Sequence, residues 1–75
     1  MASRLIYVSL RSRFGAKVRK VRHSRGWTQE QLAEKANVSL NFLNMVERGE
    51  RAPSFDNLER LAKVLRIPVY ELFRP

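Results

Sequence analysis

Residues 26–51 constrain the fold more than any other part of this chain, because they carry the signals for two short helices around a sharp turn. Thr28 and Gln31 have the spacing of a capping box, in which each side chain bonds the backbone N–H of the other at the start of a helix. Apolar side chains then recur at helical spacing through residues 32–36. Asn37 follows, and asparagine adopts the left-handed backbone of a tight turn more readily than most residues. The sequence therefore predicts a short helix that ends in a turn at Asn37.

A second short helix follows that turn. Ser39 can cap its N-terminus, and Gly49 can end it. Leu43 and Val46 would form its inward face. Two short helices joined by a tight turn form a helix-turn-helix, whose second helix can lie in the major groove of DNA. Whether this unit does so depends on the side chains that its second helix exposes.

The chain carries a net charge of +8, and this charge is confined to its first third. Residues 1–25 hold eight arginine and lysine residues and no acidic residue, whereas residues 26–75 hold seven basic and seven acidic residues. Neutralising phosphates releases condensed counterions, so this asymmetry favours a polyanionic partner such as nucleic acid. A membrane surface and a merely solvated basic face are the alternatives.

The length and composition limit which classes of protein this chain can belong to. The 75 residues allow one domain, which can fold alone but with little stability to spare, so a partner subunit could add stability. There is no cysteine, which excludes disulfides and thiolate metal sites and suits a reducing cytoplasm. No apolar run approaches the roughly 20 residues that span a bilayer, and residues 5–8 are too short an apolar run for a secretory signal. We expect a cytoplasmic protein without membrane contact.

Helical periodicity and capping residues predict five helices. The first helix ends at Gly26, Ser54 caps the fourth, and Pro68 opens the fifth where proline is best tolerated. Residues 5–8 are β-prone, but a lone strand is stable only when it pairs, for example across a dimer. We expect an all-α fold with a basic N-terminal arm at 1–11, a helix-turn-helix domain at 12–75, and helices at about 12–25, 29–36, 40–48, 55–65 and 69–73.

One hydrophobic core is predicted from the inward positions of these helices. In the fourth helix the inner stripe begins at Phe55. Trp27 directly precedes a helix cap, so it is expected to pack against Leu32 as a hydrophobic staple and not to stack on bases. His23 has no partner at ligand spacing, which favours a surface or core-edge position over metal binding or catalysis. The residues expected to be mostly buried are Phe14, Val18, Val21, Trp27, Leu32, Ala33, Ala36, Val38, Leu43, Val46, Leu58, Leu61, Ala62, Leu65, Ile67 and Leu72.

A further pattern runs through most of the chain. It consists of Thr28-Gln29, Leu32-Ala33, Val38-Ser39, Glu47-Arg48-Gly49, Pro53-Ser54, Leu58, Leu61-Ala62, Leu65 and Leu72-Phe73. In this order and spacing it resembles the lambda repressor/Cro-like helix-turn-helix family, also called the xenobiotic-response-element type. The resemblance covers residues 14–73 and implies a five-helix DNA-binding domain with the helix-turn-helix at helices 2 and 3. Small prokaryotic members of this kind include restriction–modification controllers, phage repressors and antitoxins, among which the sequence does not choose.

The resemblance implies roles for several positions. Gln29 matches a position that holds the DNA backbone from the start of helix 2, where unpaired N–H groups favour phosphate. Arg22 and Glu47 match a buried or half-buried ion pair between helices 1 and 3; if it is buried, removing one partner costs about 3–5 kcal/mol. Arg48 and Arg51 match positions that approach phosphates, with a solvated loop as the alternative. The residues expected at the DNA backbone are Lys17, Thr28, Gln29, Arg48, Arg51 and Ser54.

The exposed side of helix 3 would read the bases, and it departs from that of many relatives, which carry glutamine, arginine or lysine there. Asn41 and Asn44 can pair with adenine, while Leu40 and Met45 can contact thymine methyl groups. No residue here can make the bidentate arginine–guanine contact, so an A·T-leaning half-site is expected. Phe42 either packs against helix 2 or rests on the DNA backbone. The candidate base-reading residues are Ser39, Leu40, Asn41, Asn44 and Met45.

The basic arm would add contacts that helix 3 lacks. Arginine side chains of such arms can enter the narrow minor groove of A·T-rich DNA, and Lys17 and Lys20 would lie against phosphates. The opposing interpretation is that residues 5–8 pair or pack between subunits. The candidates for the minor groove are Arg4, Arg11 and Arg13.

These expectations combine into a homodimeric transcription regulator on double-stranded DNA. Its recognition helices would lie about 34 Å apart on an A·T-leaning inverted repeat, where the protein acts as a repressor or autoregulator. The alternative is a helical protein-interaction module with nonspecific DNA contact, which would use the apolar surface of helix 3. No nucleophile–base pair, glycine-rich phosphate loop or paired carboxylates indicate an enzyme, and no cofactor, metal or small-molecule effector is expected. The residues expected at the dimer interface are Phe55, Val69, Tyr70 and Phe73.

Overall fold

The computed structural model describes residues 9–74, which form four α-helices and a short 3-10 helix. The α-helices are α1, Leu10–Ser24; α2, Gln29–Ala36; α3, Leu40–Glu47; and α4, Phe55–Leu65. The predicted all-α class is confirmed, but the prediction of five α-helices is wrong, because the last segment, Val69–Phe73, has 3-10 geometry. That geometry is typical of short segments, and Pro68 opens this one without a side-chain cap. No helix within residues 9–74 is long and apolar enough to cross a membrane.

α1 begins earlier than predicted, because Ser9 caps it. The Ser9 hydroxyl oxygen accepts a hydrogen bond from the backbone N–H of Ser12 at 3.2 Å. Arg11 and Arg13 therefore lie in the first two turns of α1, which corrects the end of the arm at residue 11, whereas Arg13 was already expected within the helix at 12–25. Their contact with the minor groove stays a prediction. Arg4, the third arginine proposed for the minor groove, lies outside the described residues, as do residues 5–8.

The helix-turn-helix forms from the local signals in its sequence. The reciprocal hydrogen bonds of the capping box between Thr28 and Gln31 are both present at the start of α2. Asn37 ends that helix in the left-handed conformation, with φ 57° and ψ 48°. Ser39 then accepts the N–H of Phe42 at 3.0 Å and starts α3. Side-chain caps thus fix the starts of both helices, and the left-handed backbone of Asn37 fixes the end of the first, before any long-range contact is needed.

The helices pack in a ring in the order α1, α3, α2, α4 and the 3-10 helix, which returns to α1. The core at its centre contains Phe14, Val18, Leu32, Ala33, Ala36, Leu43, Val46, Leu58, Leu61, Ala62, Leu65 and Leu72, all of them predicted to be buried. Four further predicted core residues, Val21, Trp27, Val38 and Ile67, are half-buried at its edge. Phe55 does not join the inner stripe of α4 and is 85% exposed. It is the first residue of that helix and precedes the packed part, which begins at Leu58.

Gly15 lets α1 and α3 approach each other closely. A Cβ atom on this residue would lie 2.2 Å from the carbonyl oxygen of Val46 and 2.9 Å from that of Glu47. Only a residue without a side chain fits, because both neighbouring atoms belong to the backbone. The C-terminal end of α3 is therefore held directly against the second turn of α1.

Candidate nucleic-acid interface

α3 has a buried side and a solvent side. Leu43 and Val46 are completely buried on the inner side. Four of the candidate base-reading residues lie on the other side, where Leu40 and Asn41 are exposed and Asn44 and Met45 are half-buried, while the fifth, Ser39, is the exposed N-cap before the helix. The helix-turn-helix thus presents four of the five candidate side chains on one accessible helix surface.

A buried ion pair fixes α3 against α1. The guanidinium of Arg22 donates to both oxygens of Glu47, with Nε–Oε2 at 2.7 Å and a second bond of 3.0 Å to Oε1. Their side chains are 8% and 1% exposed. A third bond from Arg22 reaches the carbonyl oxygen of Trp27 at 2.8 Å, ahead of α2. One arginine therefore positions α1, the start of the helix-turn-helix and the end of α3 together.

Gln29 is the first residue of α2, and its side chain turns inward. Its Nε2 donates to Oε1 of Glu47 at 2.9 Å, and its Oε1 accepts from Nδ2 of Asn44 at 3.3 Å. The role at the DNA backbone that the resemblance implies would have to compete with these bonds. The structure instead connects this residue with a candidate base-reading side chain.

Two arginines follow α3 and lie beside its exposed face. Arg48 donates to Oδ1 of Asn44 at 3.5 Å and pairs with Glu50 at 2.9 Å, on a surface where its side chain is 60% exposed. The guanidinium of Arg51 lies over the ring of Phe42, 5.5 Å from its centroid. Phe42 itself is half-buried and packed against the core. These two arginines place positive charge next to the helix surface that carries the base-reading candidates.

Lys17 lies on a different face of the molecule. It lines a concave basic surface with Arg13, Lys20 and Arg74. Gly15 faces α3, and at 3.6 residues per turn Lys17 points roughly 200° around α1 from it. The structure therefore separates Lys17 and Lys20 from the arginines that follow α3.

Thr28 and Ser54, also expected at the DNA backbone, use their hydroxyl oxygens as helix caps. Thr28 accepts the N–H of Gln31 at 3.1 Å, and Ser54 accepts that of Asn57 at the same distance. Both residues are exposed. Their role as helix caps is sufficient to explain why Thr28 and Ser54 occur at these positions, whether or not they contact DNA.

Known proteins similar to this chain share the helix-turn-helix. A family model described as HTH_3, Helix-turn-helix, matches residues 18–72. The chain belongs to this family. The resemblance to the lambda repressor/Cro-like domain is thereby confirmed, and the family is one of DNA-binding transcription regulators.

Three similar proteins illustrate the extent of the resemblance. The restriction–modification controller protein C.AhdI from Aeromonas hydrophila has a crystal structure with a TM-score of 0.81 and 36% identity, over 84% of this chain and 96% of that one. Control protein C.BamHI from Bacillus amyloliquefaciens is 35% identical over 65 residues, 85% of this chain and 80% of that protein. An uncharacterized HTH-type transcriptional regulator of Mycobacterium tuberculosis is 41% identical over 59 residues, 79% of this chain. The chain spans 42% of the length of that last protein.

The apolar residues expected at a dimer interface of this family member differ in exposure. Phe55 and Tyr70 are 85% and 65% exposed, whereas Val69 and Phe73 are half-buried. The ring of Phe73 stacks on Phe14, with centroids 5.2 Å apart. Phe55 and Phe73 also line an apolar hollow between α1 and α4. The surface available to another molecule is therefore formed mainly by Phe55 and Tyr70.

The side-chain contacts of this helix-turn-helix that were not predicted include Asn44 with Gln29 and Arg51 with Phe42. The first follows from the packing of the motif, because the first turn of α2 lies beside the middle of α3. The amide side chains of Gln29 and Asn44 are the sequence signal from which this contact could have been predicted. Among residues 9–74, no three histidine, cysteine, aspartate or glutamate side chains converge on a point that would hold a metal ion.

Proposed function

We propose that this protein is a sequence-specific transcription regulator that binds double-stranded DNA as a homodimer. The observation that carries the proposal is the outer side of α3, where the side chains of Leu40, Asn41, Asn44 and Met45 stay accessible while the inner side is buried. A helix presented in this way within a helix-turn-helix fits the major groove. The family membership and the two controller relatives support the same function.

The proposed half-site is rich in A·T pairs. Asn41 and Asn44 carry the only amide groups within residues 39–45, and amides pair with adenine. Leu40 and Met45 offer apolar contacts to thymine methyl groups. Arg48 and Arg51, which follow α3, would contact phosphates and position the helix without reading sequence.

The proposed dimer forms through the exposed rings of Phe55 and Tyr70, with Val69 and Phe73 beside them. Large exposed aromatic side chains are typical of interface centres. A two-fold dimer would present two copies of α3 about 34 Å apart to an inverted repeat. Occupancy of such a site would block polymerase, so we infer a repressor or autoregulator. Since the relatives named above are bacterial, we place it in a prokaryotic cytoplasm.

A protein-interaction module is the second candidate function. Leu40 is 43% exposed on the outer side of α3, next to the half-buried Met45 and Phe42. An apolar helix surface of this kind also fits a groove on another protein. Under this alternative the basic residues contribute only nonspecific DNA contact.

Selection from randomised duplex DNA tests the proposal. We expect enrichment of one A·T-leaning inverted repeat, and Asn41→Ala should lose about 1–3 kcal/mol of discrimination at one base pair of each half-site. Asn57→Ala is the matched control, because Asn57 lies on α4. The absence of any enriched sequence, with equal affinity of wild type and Asn41→Ala for all duplexes, would reject sequence-specific regulation and favour the interaction module.

Sedimentation of the free and DNA-bound protein tests the dimer. Phe55→Ala should weaken self-association while leaving the fold intact, since the side chain contributes little burial within one subunit. Lys63→Ala is a suitable comparison, because Lys63 is also exposed on α4 but was not expected at the interface. A protein that stays monomeric on its selected DNA would rule out the inverted-repeat geometry.

A further inference from the structure

A chain of hydrogen bonds connects the buried ion pair with the exposed side of α3. Gln29 Nε2 donates to Glu47 Oε1 at 2.9 Å, and Asn44 Nδ2 donates to Gln29 Oε1 at 3.3 Å. We name Glu47, Gln29 and Asn44 the amide relay. It leads from a carboxylate that is 1% exposed to an amide among the base-reading candidates. The amide relay therefore connects the buried core with the surface that is proposed to contact DNA.

The chemistry of Glu47 fixes the direction of each bond in the amide relay. A carboxylate only accepts hydrogen bonds, so Gln29 must turn its NH2 group toward Glu47 and its carbonyl oxygen toward Asn44. That oxygen also only accepts, so Asn44 must turn its NH2 group toward Gln29. Reversing either amide would bring two oxygens together in a part-buried place, where unpaired polar groups are costly.

The carboxylate itself cannot rotate away from this arrangement. Arg22 holds both of its oxygens, at 2.7 and 3.0 Å, and Arg22 is in turn bonded to the carbonyl oxygen of Trp27. The amide relay thus begins at a fixed acceptor. Its direction is a property of the folded protein before any DNA is bound.

We infer that Gln29 is a specificity-determining positioning residue, which orients Asn44 to read adenine. An asparagine amide recognises adenine through its oxygen and one N–H. Asn44 gives one N–H to Gln29, which leaves its other N–H and its Oδ1 for a base. Arg48 lies at the 3.5 Å limit of a bond to that oxygen, so a base can displace it. The inference rests on the proposed function, because it assigns a base to a residue of the proposed DNA-reading surface.

Base preference in four proteins tests the inference: wild type, Gln29→Met, Asn44→Ala and the double variant. The informative operator position is the base pair at which Asn44→Ala loses its preference. Wild type should prefer adenine there by about 5- to 150-fold, the range of one good bidentate contact. Methionine keeps the length of glutamine but makes neither relay bond, so Gln29→Met should reduce this preference severalfold. In the double variant, loss of Gln29 should have no further effect, because Gln29 acts only through Asn44.

Gln31→Met is the matched control for a general effect on α2. It removes a hydrogen bond at the start of the same helix, from Thr28 to Gln31, but this residue does not reach α3. It should lower the melting temperature without changing the base preference. The inference is overturned if Gln29→Met keeps the wild-type preference, or if it weakens binding to all sequences alike, as loss of a phosphate contact would.

A measurement without DNA separates failure of the inference from failure of the proposed function. In the free protein, the side-chain NH2 signals of Gln29 and Asn44 in a 15N NMR spectrum should each show one hydrogen-bonded proton. Gln29→Met should abolish the shift of the bonded Asn44 proton, whereas Gln31→Met should leave it in place. Unchanged Asn44 signals in Gln29→Met would overturn the amide relay even if sequence-specific DNA binding were found. Shifted signals in a protein without DNA preference would reject the proposed function and leave the relay bonds established.

Discussion

The two sides of α3 are constrained to very different degrees. On the inner side Val46 is completely buried, and Glu47 is bonded by both Arg22 and Gln29. On the outer side Leu40 is 43% exposed, and the Asn41 amide donates only a weak 3.7 Å bond to the sulfur of Met45. Inner substitutions should therefore change the stability of the fold, while outer substitutions should change what the fold binds. A short helix of this kind can keep its position in the domain while its recognition surface changes.

The largest difference in unfolding free energy is expected between alanine substitutions of two glutamates that lie three residues apart. Glu47→Ala leaves the buried guanidinium of Arg22 without its carboxylate, which should cost about 3–5 kcal/mol of unfolding free energy. In a domain of this size, such a loss removes much of the stability. Urea denaturation followed by circular dichroism measures it.

Glu50→Ala is the control on the outer surface. Glu50 pairs with Arg48 at 2.9 Å, but their side chains are 45% and 60% exposed, so its removal should cost only about 0–1 kcal/mol. Equal costs for Glu47→Ala and Glu50→Ala would contradict the contrast between the two sides of α3.

A second test concerns the close approach of α1 to the end of α3. Replacing a glycine within a helix by alanine ordinarily stabilises by roughly 0.5–1 kcal/mol. Gly15→Ala should do the opposite and cost about 1–3 kcal/mol, because the new Cβ would lie 2.2 Å from the Val46 carbonyl oxygen. Lys20→Ala, on an exposed position of α1, should stay within about 0.5 kcal/mol of wild type. A stabilised Gly15→Ala protein would show that the two helices are not in close contact.

The helix-turn-helix was predictable from sequence because its signals are local. Thr28, Gln31 and Ser39 each bond a backbone group within three residues, so spacing alone identifies these caps. Burial of the core followed from helical periodicity in the same way. Phe55 shows where periodicity fails, because it lies in phase with the inner stripe but ahead of the packed part of its helix. The close approach of α1 and α3 at Gly15 was not predictable either, because the backbone atoms that Gly15 faces belong to Val46 and Glu47, which are distant in sequence.

The candidate site was less predictable than the fold. The phosphate contact that family position implies for Gln29 stays a prediction, whereas its side-chain bonds to the Glu47 carboxylate and the Asn44 amide, both distant in sequence, became visible only in the structure. Likewise, Lys17 belongs to the basic first third of the chain, yet α1 turns it toward a different face from the arginines after α3. Charge and motif indicate that nucleic acid binds, whereas three-dimensional packing decides which cations share a surface.

The smallest effect is expected from removal of a single positively charged side chain beside the outer side of α3. Arg51→Ala should weaken binding to all DNA sequences alike and make the slope of log K against log salt shallower by about one unit, as expected for one phosphate contact. Its stacking on Phe42 contributes only about 0.5–1 kcal/mol to stability, so the fold should persist. Arg74→Ala removes the same charge from the surface that also contains Lys17, and should leave the slope unchanged if that surface stays away from DNA. Equal changes of slope in both variants would show that DNA contacts both faces of the molecule. The two faces would then differ only in whether their contacts with DNA are specific or nonspecific.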